Sequence, residues 1–237
     1  MASVTHTWRC HYDNIAYCKQ KSTDSVRLIA QHMKSERVIA YVDGFNLYFG
    51  LKEKGWSRYY WLNIYVLCRN LLKPPQQLIL VTYFTSRIPG PPDKKKRQSA
   101  FLDALGTVPG IKSYYGKYQT TPVPCDNCGH SNDLTEEKMT DVQISSEMVS
   151  DAHLGKYDTA LLITGDRDLV PAIERVRSDF PNKRVLVAFP PLRTNTDLKG
   201  VASAYIHVTE NVLGRSLFPP QIQIIGGYIL ECPPSWY

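Results

Sequence analysis

The chain has 237 residues, 43% of them hydrophobic and 21% charged, enough for one α/β domain with its own core. Its net charge of +6 favours an anionic partner but is too mild to establish one. No apolar run reaches the roughly 20 residues that cross a bilayer, and the N-terminal residues, with Arg9, Lys19, Lys21 and Asp24, hold no apolar signal core, so a cytoplasmic protein without membrane association is expected.

Residues 1–36 show neither sustained alternation nor a continuous apolar face. They read as an N-terminal extension whose one candidate element is a short helix over Ser25–Met33. From residue 37 strands and helices alternate. Val38–Val42 is a strand; Leu62–Leu72 reads as a helix stopped by Pro74-Pro75; Leu78–Phe84 is a second strand. After a Pro-rich loop, Asp93 is placed to cap a helix running to Leu105. Ile111–Tyr118 reads as a strand and Thr120–Thr135 as a polar loop containing cysteines. A helix over Thr140–Leu154, a strand over Thr159–Thr164 and a helix over Leu169–Arg177 capped by Asp168 follow. Strand Arg184–Phe189, a helix over Leu198–Ser203 and strand Tyr205–Val208 close the unit, taken as residues 37–214, with 215–237 as a C-terminal tail. Repeated β-α-β order implies a mostly parallel sheet covered by helices on both faces.

Four acids stand out against this frame. Asp43 ends V-I-A-Y-V-D, Asp166 and Asp168 follow A-L-L-I-T-G, and Asp141 lies at a helix start in E-E-K-M-T-D-V. Parallel sheets bind ligands outside the carboxyl ends of their strands. Acids brought to one crevice repel unless a cation lies between them, and hard oxygen donors suit Mg²⁺ or Mn²⁺. Such a metal in a basic chain points to phosphodiester hydrolysis.

The segments Y-V-D-G-F-N-L-Y, E-E-K-M-T-D-V-Q-I and T-A-L-L-I-T-G-D-R-D-L-V-P-A-I resemble, in this order, the NYN domain family of the PIN-like nuclease superfamily, which includes the LabA-like proteins. The resemblance spans about residues 37–210, and R-V-L-V-A-F-P-P with the closing G-G-Y-I-L-E-C-P-P-S-W is similar to one bacterial branch. It implies a three-layer, Rossmann-like PIN-like fold and a metal-dependent ribonuclease. On that resemblance Asp43 is the first acid, Asp141 the acid of a K-x-x-D motif begun by Lys138, and Asp166 with Asp168 the last pair. Gln143 departs from the branch, which usually has Asn there. Asn46 either orients a water or phosphate or caps a helix. Lys138 either steers a phosphate or forms an exposed helical ion pair with Asp141. Thr164 is placed to bond a ligating carboxylate, and Glu147 is a weaker acidic candidate. In-line attack by an activated water would leave a 5′-phosphate and a 3′-hydroxyl. His153 and His207 are not needed as nucleophiles.

Lys94, Lys95, Lys96 and Arg97 open a helix, where cations are unfavourable unless an anion is near. They are candidates for contacting the backbone of single-stranded RNA, or else a solvated charge run. Tyr114, Tyr115 and Tyr118 either stack on bases or pack internally. Cys125, Cys128 and His130 supply part of a Zn²⁺ site that lacks its second ligand pair, or form a reduced turn. Three functions stay open: an endoribonuclease, an RNA-binding module without turnover, and a regulatory scaffold.

Overall fold

The computed structural model of the chain describes residues 35–124, 128, 131–224 and 226–236, all but Ser35 within the unit Glu36–Tyr237. The helix expected over Ser25–Met33 lies outside the described residues. Strands β1 (Glu36–Asp43), β2 (Gln76–Thr85) and β3 (Ile111–Tyr115) precede an antiparallel hairpin of β4 (Lys117–Pro124) and β5 (Ser131–Lys138). Strands β6 (Thr159–Ile163), β7 (Arg184–Phe189) and β8 (Ala204–His207) follow it. The six-stranded sheet has the order β3-β2-β1-β6-β7-β8, with every neighbouring pair parallel.

The chain builds outward from β1 to β3 and then returns to the opposite side of β1 to lay down β6. That reversal makes the β1/β6 boundary the switch point, where loops leave the strand ends in opposite directions and open a crevice. Both strands run almost wholly apolar into it because both of their faces are buried. Val38, Ala40 and Val42 enter one core, Ile39 and Tyr41 the other, as the two-residue period of a strand requires.

Helices α1 (Gly44–Glu53), α2 (Ile64–Leu71) and α3 (Pro92–Gly106) cover the first face with Leu47, Leu67 and Leu102. Helices α4 (Thr140–His153), α5 (Val170–Asp179) and α6 (Thr196–Val201) cover the second with Ile144, Met148, Ile173 and Leu198. Each such side chain contributes about 2 kcal/mol by leaving water. The three-layer Rossmann-like arrangement is therefore as the sequence implies.

Five local expectations change. Ile111–Tyr118 is not one strand: β3 ends at Tyr115, Gly116 bonds to the Thr85 carbonyl, and the chain then leaves the sheet. What reads as a polar loop is the β4–β5 hairpin. Its described residues in β4 are almost all exposed, so no apolar alternation marks it, and backbone pairing alone defines it. Asp93 lies inside the first turn of α3, whose N-cap is Pro91. Asp166, not Asp168, caps the helical turn after β6. Helix α7 (Glu210–Gly214) precedes the residues expected as a C-terminal tail, which form β9 (Gln221–Gln223) and β10 (Ile229–Glu231). They bury Phe218, Leu230 and Cys232 in the first core.

Candidate metal centre

Asp43 ends β1 and caps α1, its Oδ1 accepting the Asn46 N–H at 3.0 Å. Its Oδ2 accepts the hydroxyl of the fully buried Thr164 at 3.0 Å. Both oxygens of the buried Asp43 are thereby fixed before any ligand arrives. The Thr164 oxygen in turn accepts the Asp166 N–H at 3.1 Å, and Asp166 Oδ1 accepts the Asp168 N–H at 3.0 Å. Thr164 thus bonds an acid, as expected, and ties two acid-bearing loops together.

Asn46 adds a second tie, its side-chain oxygen accepting the Gly165 N–H at 2.8 Å. That oxygen is engaged by the backbone, and the capping role belongs to Asp43. Gly165 has no alternative: a Cβ there would overlap the Arg193 carbonyl. Gly44 is similarly confined, with the Tyr83 hydroxyl and the Phe84 carbonyl where its Cβ would lie.

Asp141 arrives from the first turn of α4. Met139 precedes that helix at φ 84°, turning the chain out of β5. Non-glycine residues rarely adopt this conformation, so the junction is locally strained. One carboxylate oxygen from each of Asp43, Asp141 and Asp166 lies within 4.8 Å of the others.

The electrostatics follow from this crowding. Asp43 is pushed up to about 7, chiefly by burial and further by the charges of Asp141 and Asp166; the Asn46 N–H and Thr164 hydroxyl oppose the rise. Asp141 is pushed up to about 6 by burial and by Asp166, Glu137 and Asp168. A cation among the three would offset this repulsion. The all-carboxylate donor set fits a hard divalent ion such as Mg²⁺ or Mn²⁺.

The remaining candidates divide. Asp168 is exposed and outside the three-acid group, because Arg167–Leu169 is a 3₁₀ turn in which residues two apart do not share a side. Its charge still reaches Asp141. Lys138 is on β5 rather than on a helix, and pairs with Glu136 at 2.9 Å instead of Asp141. Glu147 lies outside the group, its charge acting on Tyr114. His153 and His207 are exposed and contact Phe180 and Phe189. Cys128 is exposed; Cys125 and His130 fall outside the described residues.

Glu137 is a participant that sequence reasoning missed. Its carboxylate accepts the Ser86 hydroxyl at 2.8 Å and the Thr140 hydroxyl, joining the end of β2, the hairpin and the start of α4. Reading this segment as loop and helix hid the signal, since Glu137 acts from the end of a strand.

Beside the acids lies a cavity of about 390 Å³. Tyr48, Tyr60, Trp236, Phe101 and Tyr83 line it in a chain of ring contacts with centroids 5.0–6.4 Å apart. Lys94 and Arg97, one turn apart on α3, also line it; Lys95 and Lys96 do not. Tyr118 joins its wall against Phe45, whereas Tyr114 stacks on Phe84 in the interior and the exposed Tyr115 sits beneath Arg87.

An all-parallel sheet with carboxylates at its switch point is the architecture of PIN-like nucleases. The NYN domain profile matches residues 37–210, and the chain belongs to the NYN domain family, part of that superfamily. It is 26% identical over 243 residues to 6-hydroxy-3-succinoylpyridine 3-monooxygenase HspA of Pseudomonas putida, covering 85% of this chain and 75% of that protein. A crystal structure of a Vibrio parahaemolyticus protein of unknown function shares the fold, at a TM-score of 0.50 and 19% identity, over 78% of this chain and 97% of the other.

Proposed function

We propose that the protein is a metal-dependent ribonuclease that hydrolyses phosphodiester bonds in single-stranded RNA in the cytoplasm. The observation that carries this reading is the convergence of Asp43, Asp141 and Asp166 oxygens within 4.8 Å at the switch point of a nuclease-family fold. These three carboxylates would hold one Mg²⁺ or Mn²⁺. When bound, the ion supplies positive charge for the phosphate and acidity for an attacking water. Thr164 and the Asn46 N–H keep Asp43 immobile, so its orientation costs nothing during reaction. Asn46 and Gly165 hold the Asp166 loop against α1. Asp168 supplies additional negative potential from the rim.

Purified protein incubated with single-stranded RNA and Mn²⁺ should yield products ending in 5′-phosphate and 3′-hydroxyl. Chelator, or Asp166→Asn, should stop the reaction. Cleavage that survives both would remove the carboxylates from the mechanism.

A second reading comes from the relative named as a monooxygenase of a substituted pyridine, and the aromatic cavity is what favours it. It requires turnover of 6-hydroxy-3-succinoylpyridine in the presence of dioxygen and a reductant. Absence of a hydroxylated product under those conditions eliminates it.

A further inference from the structure

We infer that the aromatic cavity is a nucleobase pocket, which takes one unstacked base of the RNA while Lys94 and Arg97 hold the phosphate attached to it. The inference rests on the ribonuclease reading and specifies how its substrate is seated.

The cavity has the size of a small-molecule site, about 390 Å³, against the roughly 300–1,000 Å³ usual for such sites. Rings are the largest group among its lining side chains, with aliphatic residues between them. Tyr48 and Tyr60 lie 5.0 Å apart, Tyr60 meets Trp236 at 5.6 Å, and Tyr83 meets Phe101 at 6.1 Å. Tyr48, Tyr60, Phe101 and Trp236 are only partly buried, although apolar side chains surround them. Aromatic faces left accessible in a concavity select a flat, conjugated ligand over an aliphatic one, because offset stacking adds to plain burial. Every base has such a face, so the pocket accepts sequence broadly.

Charge chooses between flat ligands. Lys94 and Arg97 form no ion pair with any described residue. They project on one face of α3 toward the ring-lined space. Two unpaired cations beside an aromatic cavity favour a ring that carries an anion, and a nucleotide is such a ring.

Position connects the pocket to the acids. Gly44 and Tyr83 line the cavity, and Gly44 follows Asp43 directly. The Tyr83 hydroxyl lies where a Cβ on Gly44 would be, so this wall of the pocket is packed against the residue that follows Asp43. A base stacked against Tyr48 would therefore leave its own phosphate at the cationic rim and the chain passing toward the Asp43 side. Helix α1 is the partition: Asp43 and Asn46 at its start face the acids, Tyr48 faces the pocket.

Binding is measured in chelator, where hydrolysis is off, by fluorescence anisotropy of a labelled eight-nucleotide single-stranded RNA. The comparison ligand is the same oligonucleotide with abasic residues, and nicotinate serves as a free aromatic acid. Full-length wild type should prefer the base-bearing RNA by about tenfold, and Tyr48→Ala should abolish the preference while retaining cooperative thermal unfolding. Irradiating wild-type protein with 4-thiouridine-containing RNA should cross-link residues 44–60 or Trp236, a result that needs no variant. Equal binding of abasic and base-bearing RNA, or cross-links confined elsewhere, would overturn the pocket. So would nicotinate displacing the RNA at concentrations where it binds more tightly than a nucleoside monophosphate. If base-bearing RNA binds as described but is never cut with Mg²⁺ or Mn²⁺, the ribonuclease reading fails and the base pocket stands. If RNA is cut but abasic RNA is cut equally well, the pocket fails and the ribonuclease reading stands.

Discussion

Helix α1 divides two regions built on opposite principles. On one side, Asp43, Asp141 and Asp166 are crowded carboxylates that raise one another's proton affinity. On the other, rings and two cations surround an apolar cavity. The acid side is unfavourable in the protein alone and becomes favourable when a cation is added. The aromatic side is favourable in the protein alone and gains only the stacking of whatever enters. Removing a charge from the first should therefore improve stability while destroying function. Removing a ring from the second should weaken binding without that gain.

The largest expected contrast is between Asp43→Asn and Tyr48→Ala. The first should reduce Mn²⁺-dependent RNA cleavage on the order of a thousandfold, about 4 kcal/mol of barrier, because the ligand charge is lost. The second should reduce it about tenfold. Single-turnover rates at saturating metal check both, and comparable losses would erase the distinction between the two sides.

Next in size is the loop that carries Asp166. Gly165→Ala must displace either the Arg193 backbone or the Asn46 clamp. A loss of about 3 kcal/mol is expected, read as a lower urea midpoint at unchanged slope. A wild-type midpoint would show that the loop can yield.

The pH dependence separates the regions further. Asp43 and Asp141 have folded values of about 7 and about 6, above the roughly 3.9 of an unfolded aspartate. Between these limits the folded protein keeps protons that the unfolded chain has released. Unfolding free energy in chelator must then fall as pH rises from about 4 through about 7, by a few kcal/mol. Asp43→Asn should flatten this decline and raise Tm at pH 8, whereas Tyr48→Ala should leave the slope unchanged. A metal-free protein that gains stability from pH 5 to pH 8 would contradict the crowding.

Smaller effects concern the rims. Replacing Lys94 and Arg97 with Gln should lower the salt slope of RNA binding by about 1.4, at roughly 0.7 per contact with a single strand. The Lys95 and Lys96 pair, which does not line the cavity, should change it less. Smallest is Asp168→Asn, which should weaken Mn²⁺ by less than about tenfold, since this acid acts on Asp141 only through its field. A loss equal to that of Asp166→Asn would return Asp168 to the ligand set.

These contrasts also explain what the sequence could reveal. β1 and β6 are legible because a strand buried on both faces must be apolar throughout, so Asp43 and the T-G-D-R-D turn stand out at its end. Asp141 is legible as an acid opening a helix. The β4–β5 hairpin is not, because the exposed side chains of β4 carry no period. Lys138 is misread with it, and Glu137 is overlooked. Asp168 reads as the cap in sequence because a helix start and a 3₁₀ turn look alike there, whereas Asp166 holds that place in the fold. The cavity has little local signature: its rings come from positions 45, 48, 49, 60, 83, 101, 118 and 236, and only the folded chain assembles them.

The claim that Asp43, Asp141 and Asp166 share one cation is tested most directly by calorimetric titration of Mn²⁺ into metal-free protein at pH 6.5, where Asp43 still holds its proton, beside Asp141→Asn. The account predicts one saturable site in the wild type, proton release on binding as Asp43 ionises, and loss of both signals in the variant. No binding by the wild type, or equal binding with equal proton release by Asp141→Asn, would contradict it.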